Sequence, residues 1–354
     1  MLKKLAVYVV VLLFVIPSVF NCGKESPTKP EGVNEFDLVA SVGDDYFTSY
    51  TTPSGNPVNT TISNVFTILT DGDDSNDPYI IDYRSASDFA SGHIKGAVNM
   101  SLGSLISNIE NGKIPKNKTI LNVCYTGQTA SHATAVLNML GYDAQNLLFG
   151  MCGVTTSSEV NGTDKWSKQI ATDEYATQLV STPSTPTKVY DFPKINTGKK
   201  TAEEIIKARF TAYLNSKGGS WANITADQVF EDPSSYFIIN YWPESDYNNP
   251  GHIPGAYQFT PKSSLRKDQK LKYLPTDKEI VVYCYSGQTS AQVVAYLQIL
   301  GYDAYSLLFG VNGFAYNSLS AHKYVAPVTD YSSILTTSKP ELKLVLFIKD
   351  IFQL

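Results

Sequence analysis

The chain has 354 residues, with 28 Lys and Arg against 33 Asp and Glu, a net charge of −5 and 17% charged residues. That length favours two domains over one. An acidic balance without a basic run of more than a few residues argues against a nucleic-acid partner, and the 23 Tyr are spread through the chain as packing residues would be.

Lys3 and Lys4 precede an apolar run from Leu5 to Ile16. The run is too short to span a bilayer and suits the core of a signal peptide, residues 1–22. It ends in Pro17-Ser18-Val19-Phe20-Asn21-Cys22-Gly23, which resembles the processing site of bacterial lipoproteins. That resemblance implies an exported protein of the bacterial cell envelope. Lipid on Cys22 would anchor it to a membrane, facing the periplasm or the cell exterior. Asn21 departs from the pattern, in which a small residue precedes the cysteine. The polar stretch 23–34 reads as a flexible tether.

Residues 35–160 read as a first unit. An acidic loop, Asp71 to Asp77, leads into a short buried strand at Ile80-Ile81-Asp82. The loop lacks the central Gly of a calcium loop and reads as acidic surface. Leu121-Asn122-Val123 predicts a second strand, ending at Cys124. Ala133, Val136, Leu137 and Leu140 have helical spacing over 130–140, and Gly141 ends that helix. Ala144 to Phe149 predicts a third strand. The polar segment 155–180 reads as surface helix or loop, within a linker of 161–198 that becomes rich in Pro, Thr and Ser after residue 181. The second unit, 199–335, opens with a helix from Ala202 to Leu214. Thr225 is placed to cap a helix carrying Val229 and Phe230. Strands follow at Phe237-Ile238-Ile239, Ile280 to Tyr283 and Ala304 to Phe309. The tail 336–354 ends in an apolar run that either packs on a domain or lies on a membrane surface. Alternating strands and helices predict an α/β fold, with a parallel sheet in each unit flanked by helices.

The two units carry one sentence. Residues 124–153, CYTGQTASHATAVLNMLGYDAQNLLFGMCG, align without a gap to 284–313, CYSGQTSAQVVAYLQILGYDAYSLLFGVNG, at 17 identical positions of 30. A repeat of this length means two copies of one domain. In each copy a cysteine ends a strand and a short Gly-containing loop runs into a helix. Ligands of parallel α/β sheets bind beyond such strand ends. Backbone N–H groups and a helix N-terminus around Cys124 and Cys284 favour an anion and lower a thiol pKa. Gly127 and Gly287 let the backbone curl inward. Tyr125, Thr126, Gln128 and Thr129, with Tyr285, Ser286, Gln288 and Thr289, complete two uncharged binding loops. A buried cysteine before an ordinary turn is the simpler reading of one copy; two copies in the same setting argue against it. The cysteine spacing makes no zinc motif and only four His are present, so neither metal nor organic cofactor is expected.

Gly92-His93-Ile94-Lys95-Gly96-Ala97-Val98-Asn99, preceded by Ile81-Asp82-Tyr83-Arg84 and followed by the Cys124 loop, resembles the rhodanese family. Gly251-His252-Ile253-Pro254-Gly255-Ala256 and the Cys284 loop repeat the resemblance in the second unit. It implies tandem rhodanese-like domains and sulfurtransferase chemistry. Cys124 and Cys284 would each take a sulfane sulfur from thiosulfate, polysulfide or a protein persulfide. As persulfides they would pass it to cyanide, a small thiol or a protein thiol. The family also holds phosphatases with a longer loop closed by Arg; neither loop here has Arg or Lys to grip phosphate. Many family loops place Arg where Thr129 and Thr289 stand, and its absence points away from dianionic thiosulfate toward polysulfide or a protein persulfide. Asp82 and Arg84 are expected to support the first site. Asn240 and Trp242 replace them in the second and put its full activity in question. His93 and His252 read as turn residues, and His132 as solvent-facing in preference to a group that tunes the thiolate. Cys152 is placed either to resolve a Cys124 persulfide or to fill a small buried space. The rival to an enzyme is a non-catalytic sulfur-carrier, thiol-redox or partner-binding module.

Overall fold

The computed structural model describes residues 34–162, 165–169 and 173–338. The expected signal peptide, Cys22, the tether up to residue 33 and the tail from 339 lie outside the described residues. The first unit runs α1 Glu35–Ser49, β1 Asn59–Thr60, α2 Ile62–Leu69, β2 Tyr79–Asp82, α3 Ala86–Ser91, β3 His93–Ile94, β4 Val98–Asn99, α4 Leu105–Glu110, β5 Ile120–Val123, α5 Gln128–Met139 and β6 Ala144–Leu147. Two short helices, α6 Ser158–Asn161 and α7 Lys165–Gln169, follow it. The second unit follows the same order without counterparts of β3 and α4: α8 Ala202–Ser216, β7 Asn223–Ile224, α9 Ala226–Glu231, β8 Phe237–Asn240, α10 Glu244–Asn248, β9 Tyr257–Gln258, β10 Ile280–Tyr283, α11 Gln288–Leu300 and β11 Ala304–Leu307; β12 Leu335–Thr336 follows it.

Each unit holds a five-stranded parallel sheet, β1-β6-β5-β2-β4 in the first and β7-β11-β10-β8-β9 in the second. The central strands are buried along their whole length, as expected of sheets covered on both faces. Register sets Asp82 beside Val123 and Asn240 beside Tyr283, so both supporting positions lie next to the strand end that carries a cysteine. The strands expected to reach Phe149 and Phe309 stop at Leu147 and Leu307, because both Phe adopt left-handed backbone (φ 62° and 63°) and turn the chain back. Thr225 caps α9 through a capping box with Gln228, and Thr201 caps α8 likewise with Glu204.

The two sheets share one core. Ile120, Val136 and Leu137 of the first unit and Ile280, Val293 and Leu297 of the second belong to the same buried cluster. α1 and α8, each 15 residues, lie in it with α5 and α11. Tyr46 of α1 donates to Gln292 of α11 at 3.2 Å, and Tyr213 of α8 meets His132 of α5 at 3.2 Å, so each opening helix leans on the other unit. The trailing segments cross too. β12 pairs antiparallel with β3, Leu335 beside Ile94, and Tyr331 packs on Phe66. Val180 bridges to His252, and Tyr175 stacks on Phe230 at 4.3 Å. Each Gly-His-Ile edge is thereby closed by chain that follows the opposite unit, which leaves neither edge open for pairing.

The described residues of the polar segment 155–180 include two short helices and a 3-10 turn, yet one of them is central. Trp166 is fully buried between Phe149, Phe309 and Tyr324. No helix among the described residues is long and apolar enough to cross a membrane. The units approach closely at Gly43, where a Cβ would stand 2.0 Å from the Tyr296 ring. Ala gains about 1 kcal/mol over Gly in a helix, but overpacking costs about 1–3 kcal/mol and more against a fully buried ring. We expect Gly43→Ala to lower unfolding stability by about 1–2 kcal/mol net, read as a lower urea midpoint at unchanged slope.

Candidate active site

Cys124 follows β5 directly, and α5 begins four residues later, so the loop is Cys124-Tyr125-Thr126-Gly127, with Gln128 and Thr129 already in the first turn of the helix. Gly127 takes φ 81°, a left-handed value that aims its N–H at the cysteine, 3.1 Å from Sγ. Ala130 N–H lies 3.4 Å from the same sulfur. Cys284 sits in the copy, with Gly287 at φ 75° and Ser290 N–H 3.3 Å from Sγ. There the helix also supplies a hydroxyl. Cys284 Sγ donates to Ser290 Oγ at 3.6 Å, and Ser290 Oγ is paired with Ser306 Oγ at 2.8 Å.

The expected lowering of the thiol pKa is not what results at Cys124. The residue is 2% exposed, and burial pushes its pKa up; the N–H groups of Ala130, Thr126, Gly127 and Thr129 pull the other way and do not overcome it. Loss of solvent outweighs a set of neutral dipoles when no cation touches the sulfur.

Asp82 and Arg84 form an ion pair at 2.6 Å with both side chains buried. Arg84 also donates to the Val160 and Gly92 carbonyls, which fastens α6 to the Gly-His-Ile turn. Every donor pointing inward finds an acceptor, the condition under which a buried pair is tolerated. In the second unit a neutral network replaces it: Asn240 Nδ2 donates to Tyr283 Oη at 2.8 Å, and Ile253 N–H donates to the same oxygen. The loop tyrosines keep a common anchor, Tyr125 on Asp88 and Tyr285 on Asp246, and that bond holds the Asp88 carboxyl below the ordinary range. Their surroundings differ. Tyr125 lies between Arg84 at 6.0 Å and Lys165 at 4.8 Å, whereas Tyr285 lies between Trp242 at 4.8 Å and His322 at 4.3 Å.

His93 and His252 hold turns. His93 Nδ1 bonds the Phe89 carbonyl at 2.7 Å and His252 Nδ1 the Tyr247 carbonyl at 2.9 Å, each ring stacked on that aromatic neighbour. Cys152 is buried in the turn behind the Cys124 loop. Its N–H donates to the Tyr125 carbonyl at 3.0 Å, and its thiol to the Asn161 carbonyl at 3.4 Å. The acidic loop is exposed and bonds internally, Asp71 accepting from Asp73 N–H and Asn76. Among the described residues no cluster of His, Cys, Asp or Glu is gathered as a metal site.

A cavity of about 380 Å³ opens on Cys124. Its own loop forms one wall. Lys165 and Lys168 of α7 form a second, and Trp221, Leu308 and Phe309 of the second unit a third. Trp221 Nε1 donates to Thr129 Oγ1 at 3.0 Å, so the loop position expected to carry Arg is held by the opposite unit. The cations absent from the loop thus arrive from outside it. Sequence reading missed them because it looked for charge only within the loop; the available signal was Lys165-x-x-Lys168, a spacing that sets both side chains on one helix face.

The chain belongs to the rhodanese-like family: the model for the rhodanese-like domain matches residues 67–155 and 226–317, together just over half of the chain. Among solved structures, a rhodanese-related protein from Thermoplasma volcanium is 26% identical over 27% of this chain and 90% of its own, at a TM-score of 0.24. A rhodanese-like domain protein from Staphylococcus aureus is 23% identical over 26% of this chain and 86% of its own, at 0.23. A thiosulfate sulfurtransferase from Pseudomonas aeruginosa is 14% identical over 82% of this chain and 49% of its own, at 0.28. No curated protein matched. The matched segments hold four of the five strands of each sheet and both cysteine loops.

His132 is not solvent-facing. It is fully buried in α5, against Trp221 at 4.8 Å and Tyr213, because the second unit covers that helix face. Burial lowers its pKa to about 3. Unfolded, it titrates near 6.5. The folded state therefore binds fewer protons than the unfolded chain between those values, and stability falls as pH drops below 6.5. His132→Gln installs the residue found at the equivalent Gln292. It should remove up to about 1.4 kcal/mol of destabilisation per pH unit on that acid limb. Urea titrations from about pH 7 to about pH 4.5 read the slope; an unchanged slope would contradict this assignment.

Proposed function

We propose that this protein is a sulfurtransferase that works through a cysteine persulfide, with Cys124 as the principal sulfur acceptor. The observation that carries the reading is the Cys124 cavity, where N–H donors approach the sulfur and two lysines line the wall. Cys124 loses its proton to solvent, and the thiolate attacks the outer sulfur of the donor. The donor S–S bond breaks, and its electron pair leaves with the departing group, sulfite when the donor is thiosulfate. The new persulfide anion is stabilised by the N–H groups that faced the thiol. Cyanide or a thiol then attacks the outer sulfur, and Cys124 Sγ recovers the electron pair of the bond that breaks. Lys165 and Lys168 supply the attraction for a dianion that the loop lacks, so thiosulfate returns as a donor beside polysulfide and protein persulfides.

Cys284 serves in the same chemistry at a site flanked by Trp242 and His322, where an anionic donor is less favoured. The reading includes export and anchoring through Cys22, supported by the sequence of residues 3–22, and a protein thiol as one possible acceptor. A second reading, a non-catalytic carrier or binding module, is favoured by the burial and raised pKa of Cys124.

Thiocyanate release from thiosulfate and cyanide separates the two. Wild-type protein should turn over, and Cys124→Ser should remove most of the rate. Lys165→Gln with Lys168→Gln should lower kcat/KM for thiosulfate about 10–100-fold at low salt, since two partly solvated charges contribute about 1–3 kcal/mol. A lysine double variant with wild-type kcat/KM would refute the donor assignment, and wild-type protein without turnover would favour the carrier.

A further inference from the structure

Gln128 and Gln288 open the helices behind the two cysteine loops, yet each turns its amide oxygen to the other unit. Gln288 Oε1 accepts from Phe149 N–H at 3.0 Å and from Asn146 Nδ2 at 3.1 Å. Gln128 Oε1 accepts from Phe309 N–H at 2.8 Å. At the other end of each amide, Nε2 donates to the side chain of its own loop, Thr126 or Ser286, at 3.1 Å. Both glutamines are buried. They pass so close to the opposite loop that a Cβ on Gly127 would stand 2.1 Å from Gln288 Oε1, and one on Gly287 2.3 Å from Gln128 Oε1.

The residues they hold are in a strained conformation. Phe149 and Phe309 are non-glycine residues in left-handed backbone, which persists only where the surroundings fix it. Each starts a turn that docks on the opposite side of its own cysteine loop. Met151 N–H donates to the Cys124 carbonyl at 2.8 Å and Cys152 N–H to the Tyr125 carbonyl at 3.0 Å; Val311 and Asn312 do the same for Cys284 and Tyr285 at 3.1 and 2.9 Å. Those bonds hold the Cys124–Tyr125 and Tyr125–Thr126 peptides, at the start of the loop whose Gly127 and Ala130 N–H groups reach Cys124 Sγ. A continuous path therefore runs from Gln288 through Phe149 and its turn to the Cys124 loop, and its mirror runs from Gln128 to the Cys284 loop.

We propose that Gln288 is a positioning residue for Cys124 and Gln128 a positioning residue for Cys284, so that each thiol is set by the opposite unit and the two sites respond to each other. This goes beyond sulfur transfer and is testable without it. The titratable groups around Cys124 are Lys165, Lys168 and Tyr125 in its cavity wall and the nearby Tyr83; those near Cys284 are Tyr285, Tyr50 and Tyr241. An uncharged replacement for Gln288 alters none of their charges, so a change at Cys124 reports geometry.

Iodoacetamide alkylation of the full chain across pH, with each cysteine read by peptide mass, gives a titration midpoint for each thiol. Gln288→Met should raise the Cys124 midpoint by about one pH unit, a tenfold loss of thiolate at fixed pH, as the N–H donors lose alignment. Gln128→Met should do the same to Cys284. Gln288→Asn withdraws the amide oxygen by one methylene and should move Cys124 in the same direction; it carries the test if the Met variant does not fold. An unmoved Cys124 midpoint in a folded Gln288 variant, or shifts confined to the thiol of the mutated loop, would overturn the proposal.

Discussion

The packing of α5 against α11 is the contact on which the rest of the molecule depends. Both helices leave a cysteine loop, and they meet more extensively than any other pair of elements. Because one face of each is covered by the other unit, neither can be an amphipathic surface helix; nearly every residue of α11 from Gln288 to Leu300 is buried. Polar groups buried on these two helices need partners, and the opening helices supply them: Tyr46 of α1 pairs with Gln292 of α11, and Tyr213 of α8 with His132 of α5. The same packing brings Trp221 and Phe309 into the wall of the Cys124 cavity. The site is therefore a product of two units, although its sulfur belongs to one.

Pseudo-equivalence makes the differences between the units interpretable. The first is ionic around its loop, with Asp82 and Arg84 buried as a pair and Lys165 over Tyr125. The second is neutral and aromatic, with Asn240, Tyr283 and Trp242 in the corresponding space and Ser290 at the sulfur. Removing one partner of a buried ion pair strands the other at a cost of about 3–5 kcal/mol, whereas exchanging both is nearly neutral. The simultaneous presence of Asn240 and Trp242 is the arrangement that this asymmetry allows. What remains distinct is the electrostatics offered to a ligand.

Much of this was legible in the sequence. The gapless repeat located both loops, and the apolar triplets before Cys124 and Cys284 located the strands that present them. The capping residue Thr225 and the turn roles of His93 and His252 were also readable, because those signals are local. What was not legible depended on the opposite unit. His132 reads as a surface residue until α8 is placed over it, and the anion-favouring loop reads as acidifying until its burial is known. Lys165 and Lys168 lie some forty residues from Cys124 in sequence, in a segment whose composition resembles solvent-exposed linker. The crossing of the trailing segments onto the opposite Gly-His-Ile edges left no periodicity to detect.

The central claim, that the cysteine loops accept and release sulfur, is met most directly by mass. The full chain would be treated with thiosulfate or polysulfide and digested to peptides, before and after cyanide. The account predicts a gain of one sulfur atom on the Cys124 peptide, a smaller gain on the Cys284 peptide with thiosulfate, and loss of both to cyanide with thiocyanate released. Reduced protein that gains no sulfur on either peptide from either donor would contradict it.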